Sequence, residues 1–119
     1  MAYATTGNRT IEPTTLTLAA SAARTTTANG TTTDNEGALI ANVKLDVTAG
    51  SGTTPTLDVT IQGQDAAGDW FTLGTFTQAT GVTAQTIPVV LAGRQVRAIW
   101  TVAGTTPSFT FSVVGEARR

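Results

Sequence analysis

The side chains that could do chemistry in this sequence are few, and carboxylates stand out among them. Of 119 residues, eight are acidic and seven are basic, and none is a histidine or a cysteine. This composition excludes Ser-His-Asp and Cys-His catalysis, thiolate chemistry and most zinc, iron or copper sites. The few serines lie in no Gly-x-Ser-x-Gly context, and no glycine-rich phosphate loop is present. Paired carboxylates are therefore the one catalytic arrangement that the composition permits.

Two carboxylate pairs are candidates for such an arrangement. Asp46 and Asp58 face each other if residues 38–64 form a hairpin, and Asp65 and Asp69 flank a predicted turn. Glycoside hydrolysis needs two carboxyl groups at a set separation in a sugar-binding cleft, one of them with a raised pKa. These four side chains are predicted on exposed faces of a small domain. We therefore expect no active site, and the protein is not expected to be an enzyme.

An acidic stretch, Asp34-Asn35-Glu36, resembles a fragment of an oxygen-rich cation site. A calcium loop needs further ligands at defined offsets, and the sequence that follows does not supply them. Asp and Asn are also frequent in turns, where their side chains bond to the nearby backbone. The stretch therefore predicts a turn, and we expect neither a metal nor a cofactor.

The distribution of charge and apolar residues argues against nucleic-acid and membrane partners. The net charge is −1, and the basic residues are scattered, with no run longer than Arg118-Arg119. Nucleic-acid binding needs a clustered positive surface. The apolar run at residues 89–92 is far too short to cross a bilayer, and residues 1–10 lack the features of a signal peptide. We expect a soluble chain that is made in a cytoplasm.

Composition indicates that an all-β domain positions these side chains. Threonine makes up more than a fifth of the chain, and only 13% of the residues are charged. Threonine is β-branched and suits the solvent face of a strand. Because no linker divides the chain, we predict one β-sandwich, Ig-like or jelly-roll-like, of about eight antiparallel strands over residues 11–119. An N-terminal arm precedes it at residues 1–10, and a small closed barrel is the alternative architecture.

The C-terminal segment carries the clearest strand pattern. Apolar and polar residues alternate over residues 96–102 and again over residues 109–115, on either side of Gly104-Thr105-Thr106-Pro107. Alternation on both sides of a Gly/Pro turn is typical of a β-hairpin with one face on the core. We predict a hairpin that contributes Trp100 and a pair of phenylalanines to the core.

A second hairpin is predicted over residues 38–64. Its first strand alternates with Leu39 as the first inward residue, its loop spans residues 49–55, and its second strand alternates over residues 57–63. The loop sequence AGSGTTPT echoes AGTTPS of the C-terminal hairpin. Both internal duplication and chance similarity explain the echo. In either case, we expect the two loops at the same end of the sandwich.

Shorter signals complete the predicted sandwich. They are a first strand around Leu16, a polar loop or edge strand at residues 31–37, a tight turn with Gly68 at positive φ, and a strand at residues 85–91 that Pro88 confines to an edge or a bulge.

The strand predicted at residues 70–76 places Trp70 and Phe76 on one face. These two residues and Tyr3 are the large side chains that the pattern does not place firmly in the core. A core position and an interface position are both open for Trp70. A surface with few charges is also easy to desolvate against a partner, which favours a structural, assembling protein.

Two segments resemble a recurring pattern in virion proteins of tailed bacteriophages. In residues 56–81, a strand ending in Gln-Gly is followed by an acidic glycine turn and a Trp/aromatic strand. In residues 96–118, an Arg-x-x-Trp strand leads through Gly-Thr-Thr-Pro-Ser to Phe-Thr-Phe-Ser-Val. The pattern is similar to that of small head-decoration (auxiliary capsid) proteins of siphophages. It is less similar to that of other small phage structural proteins.

The resemblance implies a β-sandwich that assembles as a homotrimer or homodimer on the outer face of the capsid. There it would bind the major capsid protein and tie neighbouring subunits together against internal DNA pressure. On this hypothesis the candidate contact residues are Tyr3, Arg9 and Ile11 of the arm and the exposed aromatics Trp70 and Phe76. A tail, neck or tail-tip component is an alternative. Another is an Ig-like adhesion or carbohydrate-binding module, with Trp70 and Tyr3 stacking on sugar rings.

Overall fold

The fold of the computed structural model, which describes residues 14–35 and 37–118, is entirely antiparallel β. Its seven strands are β1 (Thr14–Arg24), β2 (Ala28–Asn29), β3 (Thr33–Asp34), β4 (Ile40–Gln64), β5 (Trp70–Thr75), β6 (Thr83–Val90) and β7 (Gln95–Arg118). The prediction of an all-β single domain is confirmed. Within the described residues, no helix is long and apolar enough to cross a membrane.

The two longest strands, β4 and β7, pair with each other along their whole lengths. Their antiparallel register runs from Ile40 opposite Arg118 to Gln64 opposite Gln95. The prediction of two separate hairpins is therefore wrong, because each predicted hairpin is one continuous strand. The two Gly-Thr-Thr-Pro segments do lie together, but as partners in this ladder, with Thr53 opposite Thr105.

The single sheet folds over itself into two packed layers. The rings of Trp100 and Phe111 meet edge to face with centroids 5.3 Å apart, although the two residues are eleven positions apart on the same strand. A straight strand would hold these residues about 36 Å apart. Strands β5 and β6 also pack closely against each other: a Cβ atom built on Gly74 of β5 would lie 3.0 Å from the Cδ1 atom of Ile87 in β6. The smallest dimension of the molecule, 19 Å, fits two layers.

Each layer takes one half of β4 and one half of β7. The β6 layer contains β1, residues 109–118 of β7, residues 40–49 of β4, and β6. The β5 layer contains β2 and β3, residues 95–103 of β7, residues 56–64 of β4, and β5. The segment between the halves is an exposed two-stranded ribbon that carries the chain from one layer to the other.

The ribbon bends at two equivalent points. Gly52 and Gly104 have φ angles of 118° and 122°, and Thr54 and Thr106 both have a φ of 46°. A Cβ on Gly52 would lie 2.9 Å from the Cα of Pro107, and one on Gly104 would lie 2.9 Å from the Cα of Pro55. The sequence echo therefore has a structural counterpart: the two GTTP segments adopt the same conformation and pack reciprocally.

The inward faces follow the predicted alternation closely. The inward residues of the central strands, namely Ala41, Val43, Leu45, Val47, Leu57, Val59, Ile61, Val96, Ala98, Trp100, Phe109, Phe111 and Val113, are all buried. Leu16 and Leu18 of β1 join this core. Leu39 is the exception, with 62% of its surface exposed: it precedes β4, and the core takes the adjacent Ala38 instead.

Two local predictions are confirmed. Gly68 has a φ of 92° in the turn between β4 and β5. Pro88 lies on β6, which among the described strands pairs with β4 alone and so forms an edge, where a proline is tolerated.

Because the two bends are equivalent, substitution of either glycine should destabilise the protein to a similar extent. Gly52→Ala and Gly104→Ala each place a methyl group against backbone atoms of the opposite strand, at a φ that L-residues rarely adopt. We expect each substitution to lower the free energy of unfolding by about 2 kcal/mol or more, as measured by urea denaturation.

Gly81→Ala is the matched control, because a Cβ at Gly81 meets nothing within 4 Å and its φ is not positive. This change should leave stability within about 0.5 kcal/mol of the unsubstituted protein. A similar loss from all three substitutions would contradict the reciprocal packing.

Candidate functional site

The predicted contact residues separate into three groups. Tyr3, Arg9 and Ile11 lie outside the described residues. Trp70, the first residue of β5, is partly exposed, whereas Phe76 has only 3% of its surface exposed. The prediction that Phe76 is an exposed aromatic is therefore wrong.

A β-bulge explains why Trp70 and Phe76 do not share a face. Gly74 pairs with Ile61 of β4, but Thr72 pairs with the next residue, Gln62, so Leu73 is an extra residue in β5. One extra residue reverses which side chains point inward. After the bulge, the backbone N–H of Phe76 still donates to the carbonyl oxygen of Val59 (3.0 Å), and its ring enters the core.

Trp70 belongs to a stacked cluster on the outer face of the β5 layer. Arg97 of β7 lies opposite Gln62 of β4, and its side chain reaches across β4 to the indole of Trp70. The guanidinium carbon lies 4.0 Å from the centroid of the Trp70 ring. The Nε–H of Arg97 donates to the Oε1 of Gln62 over 2.9 Å. We call Trp70, Arg97 and Gln62 the Trp70 stack; its members are all partly buried.

The Trp70 stack lies on an outer face whose central strands also carry Thr60 and Thr101. Stacking on an aromatic ring contributes about 0.5–1 kcal/mol at an exposed site. Together with the bond to Gln62, it holds the guanidinium in one orientation. Within residues 14–35 and 37–118, no carboxylate forms an ion pair with Arg97.

An apolar patch on the outer face of the β6 layer was not predicted. Ile40 of β4 lies opposite Val90 of β6, and these side chains are 52% and 67% exposed. Together with the exposed Pro88 they line a groove of about 270 Å³, with Glu116 and Arg118 at its rim. We call Ile40, Pro88 and Val90 the Ile40 patch. The sequence did contain signals for this patch. Ile40 stands on the otherwise polar side of its strand, and Val90 points to the opposite side from the buried Val89.

The candidate catalytic carboxylates do not form pairs. Asp46 lies opposite Ser112 in the β6 layer and Asp58 lies opposite Thr101 in the β5 layer, so the prediction that they face each other is wrong. Asp65 closes its own turn, with its Oδ1 accepting hydrogen bonds from the backbone N–H groups of Ala67 (2.9 Å) and Asp69 (3.0 Å). This arrangement stabilises the turn that Asp65 and Asp69 flank.

Of the stretch Asp34-Asn35-Glu36, Asp34 ends β3, Asn35 stabilises a turn, and Glu36 lies outside the described residues. Asn35 donates from Nδ2 to the carbonyl oxygen of Gly93 (2.6 Å) and accepts from the N–H of Gly37 (3.1 Å) at Oδ1. Among the described residues, no group of three or more His, Cys, Asp or Glu side chains is placed to hold a metal ion.

Arg24, the last residue of β1, has a structural position. Its guanidinium stacks on the rings of Trp100 and Phe111, at 4.8 and 4.5 Å from their centroids. Nη1 also donates to the carbonyl oxygen of Phe111 (2.6 Å). Desolvation by burial lowers the pKa of Arg24 below its ordinary value. Arg24 therefore covers the place where the two layers meet.

The fold is similar to that of a solved structure, the SPBc2 prophage-derived protein YomS. The TM-score is 0.61, the match covers 93% of this chain and 96% of that chain, and the sequences are 17% identical. No protein-family model and no curated protein matches the sequence. At this level of identity, the similarity is one of fold.

The different burial of the two aromatics predicts different costs of truncation. Phe76→Ala removes a buried ring and should lower the free energy of unfolding by about 3–5 kcal/mol. Trp70→Ala removes a partly exposed ring and one stacking contact, and should lower the free energy of unfolding by about 1 kcal/mol. Urea denaturation of both variants measures the difference. Equal losses would mean that Trp70 is a core residue.

Proposed function

We propose that this protein is a structural component of a tailed-phage virion that decorates the outer surface of the capsid and clamps neighbouring capsid subunits. The observation that carries the proposal is the similarity of fold to a prophage-derived protein along nearly the full length of both chains. The Gln-Gly and Arg-x-x-Trp strand patterns, which resemble those of head-decoration proteins, support it independently.

The position of the two outer surfaces supports a clamping role. The Ile40 patch lies on the β6 layer, and the Trp70 stack lies on the β5 layer. A protein with contact surfaces on two faces can bind two neighbours at once. Its second contact then forms at a high effective concentration. Repetition by capsid symmetry would turn individually weak contacts into stable attachment.

The surface chemistry is consistent with protein contacts. Aromatic and arginine side chains are enriched at the centres of protein interfaces, and the Trp70 stack contains both. A carbohydrate-binding module would stack a sugar ring on Trp70, and Arg97 covers one of the two faces of that ring, which leaves at most one face for a sugar. We therefore favour a protein partner, the major capsid protein, with other copies of this chain as neighbours.

Incubation of the purified protein with purified heads that lack it tests the proposal. Electron microscopy should show added density at regular positions on the outer surface of the capsid. Particles lacking the protein should release their DNA at lower temperature and after milder osmotic shock than complete particles. Density only on the tail or neck would assign the protein there, and no binding to heads would overturn the decoration role.

The Ile40 patch predicts a variant that binds heads poorly. The double substitution Ile40→Thr and Val90→Thr removes exposed apolar surface and should leave the core intact. We expect the dissociation constant for heads to rise at least tenfold, as measured by co-sedimentation.

The control is Val82→Thr, because Val82 is 73% exposed but lies outside the patch, between β5 and β6. This variant should bind heads as the unsubstituted protein does. Equal binding by all three proteins would show that the Ile40 patch does not contact the capsid.

A further inference from the structure

Among the residues that the structure describes, Arg97 is a positioned cation without an anionic partner. Its Nε–H is bonded to Gln62 and its planar face is stacked on Trp70. Neither contact uses the four N–H groups on Nη1 and Nη2. In the described part of the chain, these groups have no carboxylate within ion-pair distance.

This arrangement differs from that of an ordinary surface arginine. Fixing a free arginine side chain on binding costs rotamer entropy. In the Trp70 stack, most of this entropy is already lost when the chain folds, because two contacts fix the guanidinium before any partner binds. The remaining Nη donors form a fork that matches the two oxygens of a carboxylate.

We propose that the Trp70 stack is a docking site for a carboxylate, supplied by an aspartate, a glutamate or a chain terminus of a partner protein. The carboxylate would accept two parallel hydrogen bonds from Arg97, while Trp70 packs beside it and limits its contact with water. This inference deepens the proposed function, on which it rests for the identity of the partner.

A protein carboxylate fits the surroundings better than a nucleic-acid phosphate does. The net charge of the chain is −1, and its basic residues are dispersed rather than clustered. A polyanionic backbone binds through many cations at once. A single oriented guanidinium, on an outer face where β4 otherwise carries Asp58, Thr60 and Gln64, instead suits one isolated anionic group.

A titration with small probes tests the chemistry without any phage particle. We expect hexaglutamate to shift the NMR signal of the Arg97 Nε–H and that of the Trp70 indole N–H in a saturable way. Hexalysine should shift neither signal. Arg97→Gln should abolish the shift at Trp70, and Arg94→Gln should preserve it, because exposed Arg94 belongs to no such stack. An unchanged spectrum, or a larger and tighter response to a thymidine decanucleotide, would overturn the inference.

Binding to heads tests the role of the site in the virion. Arg97→Gln should weaken co-sedimentation at least tenfold. Arg97→Lys should also weaken it, because lysine keeps the charge but loses the fork. Arg94→Gln should bind as the unsubstituted protein does.

These outcomes separate the two proposals. If the unsubstituted protein fails to bind heads but responds to hexaglutamate, the decoration role is wrong and the carboxylate site stands. If it binds heads and both Arg97 variants bind equally well, the carboxylate site is wrong and decoration stands. Normal urea denaturation of the variants would exclude unfolding as the cause of any loss.

Discussion

The pairing of β4 with β7 is the constraint on which the rest of the structure depends. Every other described strand pairs with one of these two: β1, β2 and β3 with β7, and β5 and β6 with β4. Because the ribbon bends at Gly52 and Gly104, the same two strands form the centre of both layers. A bend in only one strand would break the ladder. The close reciprocal approach of the two GTTP segments is therefore what makes one sheet into a two-layered core.

Much of the fold could be predicted from the sequence because side-chain alternation depends only on local pattern. In residues 57–63 and 109–115, the apolar side chains at alternate positions face the core, as the sequence pattern predicts. The same alternation arises whether a strand turns back on itself or continues, so strand pairing could not be deduced from it. Considered alone, a Gly-Thr-Thr-Pro segment indicates a turn. Here its positive φ angles bend a continuous ladder, because an equivalent segment lies opposite, and that is a long-range property.

The candidate site was less predictable for related reasons. The sequence left a core and an interface position open for Trp70, which is partly exposed in the structure. The bulge at Leu73 placed Phe76 in the core, and bulges leave little trace in side-chain pattern. The stacking of Arg97 on Trp70 joins β7 to β5 across β4, and it therefore depends on the register between β4 and β7. The Ile40 patch did leave a local signal, since Ile40 stands on the same side of its strand as Asn42 and Lys44, and Val90 adjoins the buried Val89.

The bent ribbon also bears on how such a protein could resist force. The Ile40 patch and the Trp70 stack lie on different layers, and β4 contributes Ile40 to the first and Gln62 to the second. The two surfaces are therefore joined by one hydrogen-bonded strand rather than by a flexible linker or a separate interface. A load applied between partners on the two faces would pass along β4 and its ladder with β7, through the bend that Gly52 and Gly104 create. A rigid connection of this kind keeps both contacts oriented while either one is strained, and this is the property that a clamp between neighbouring subunits requires.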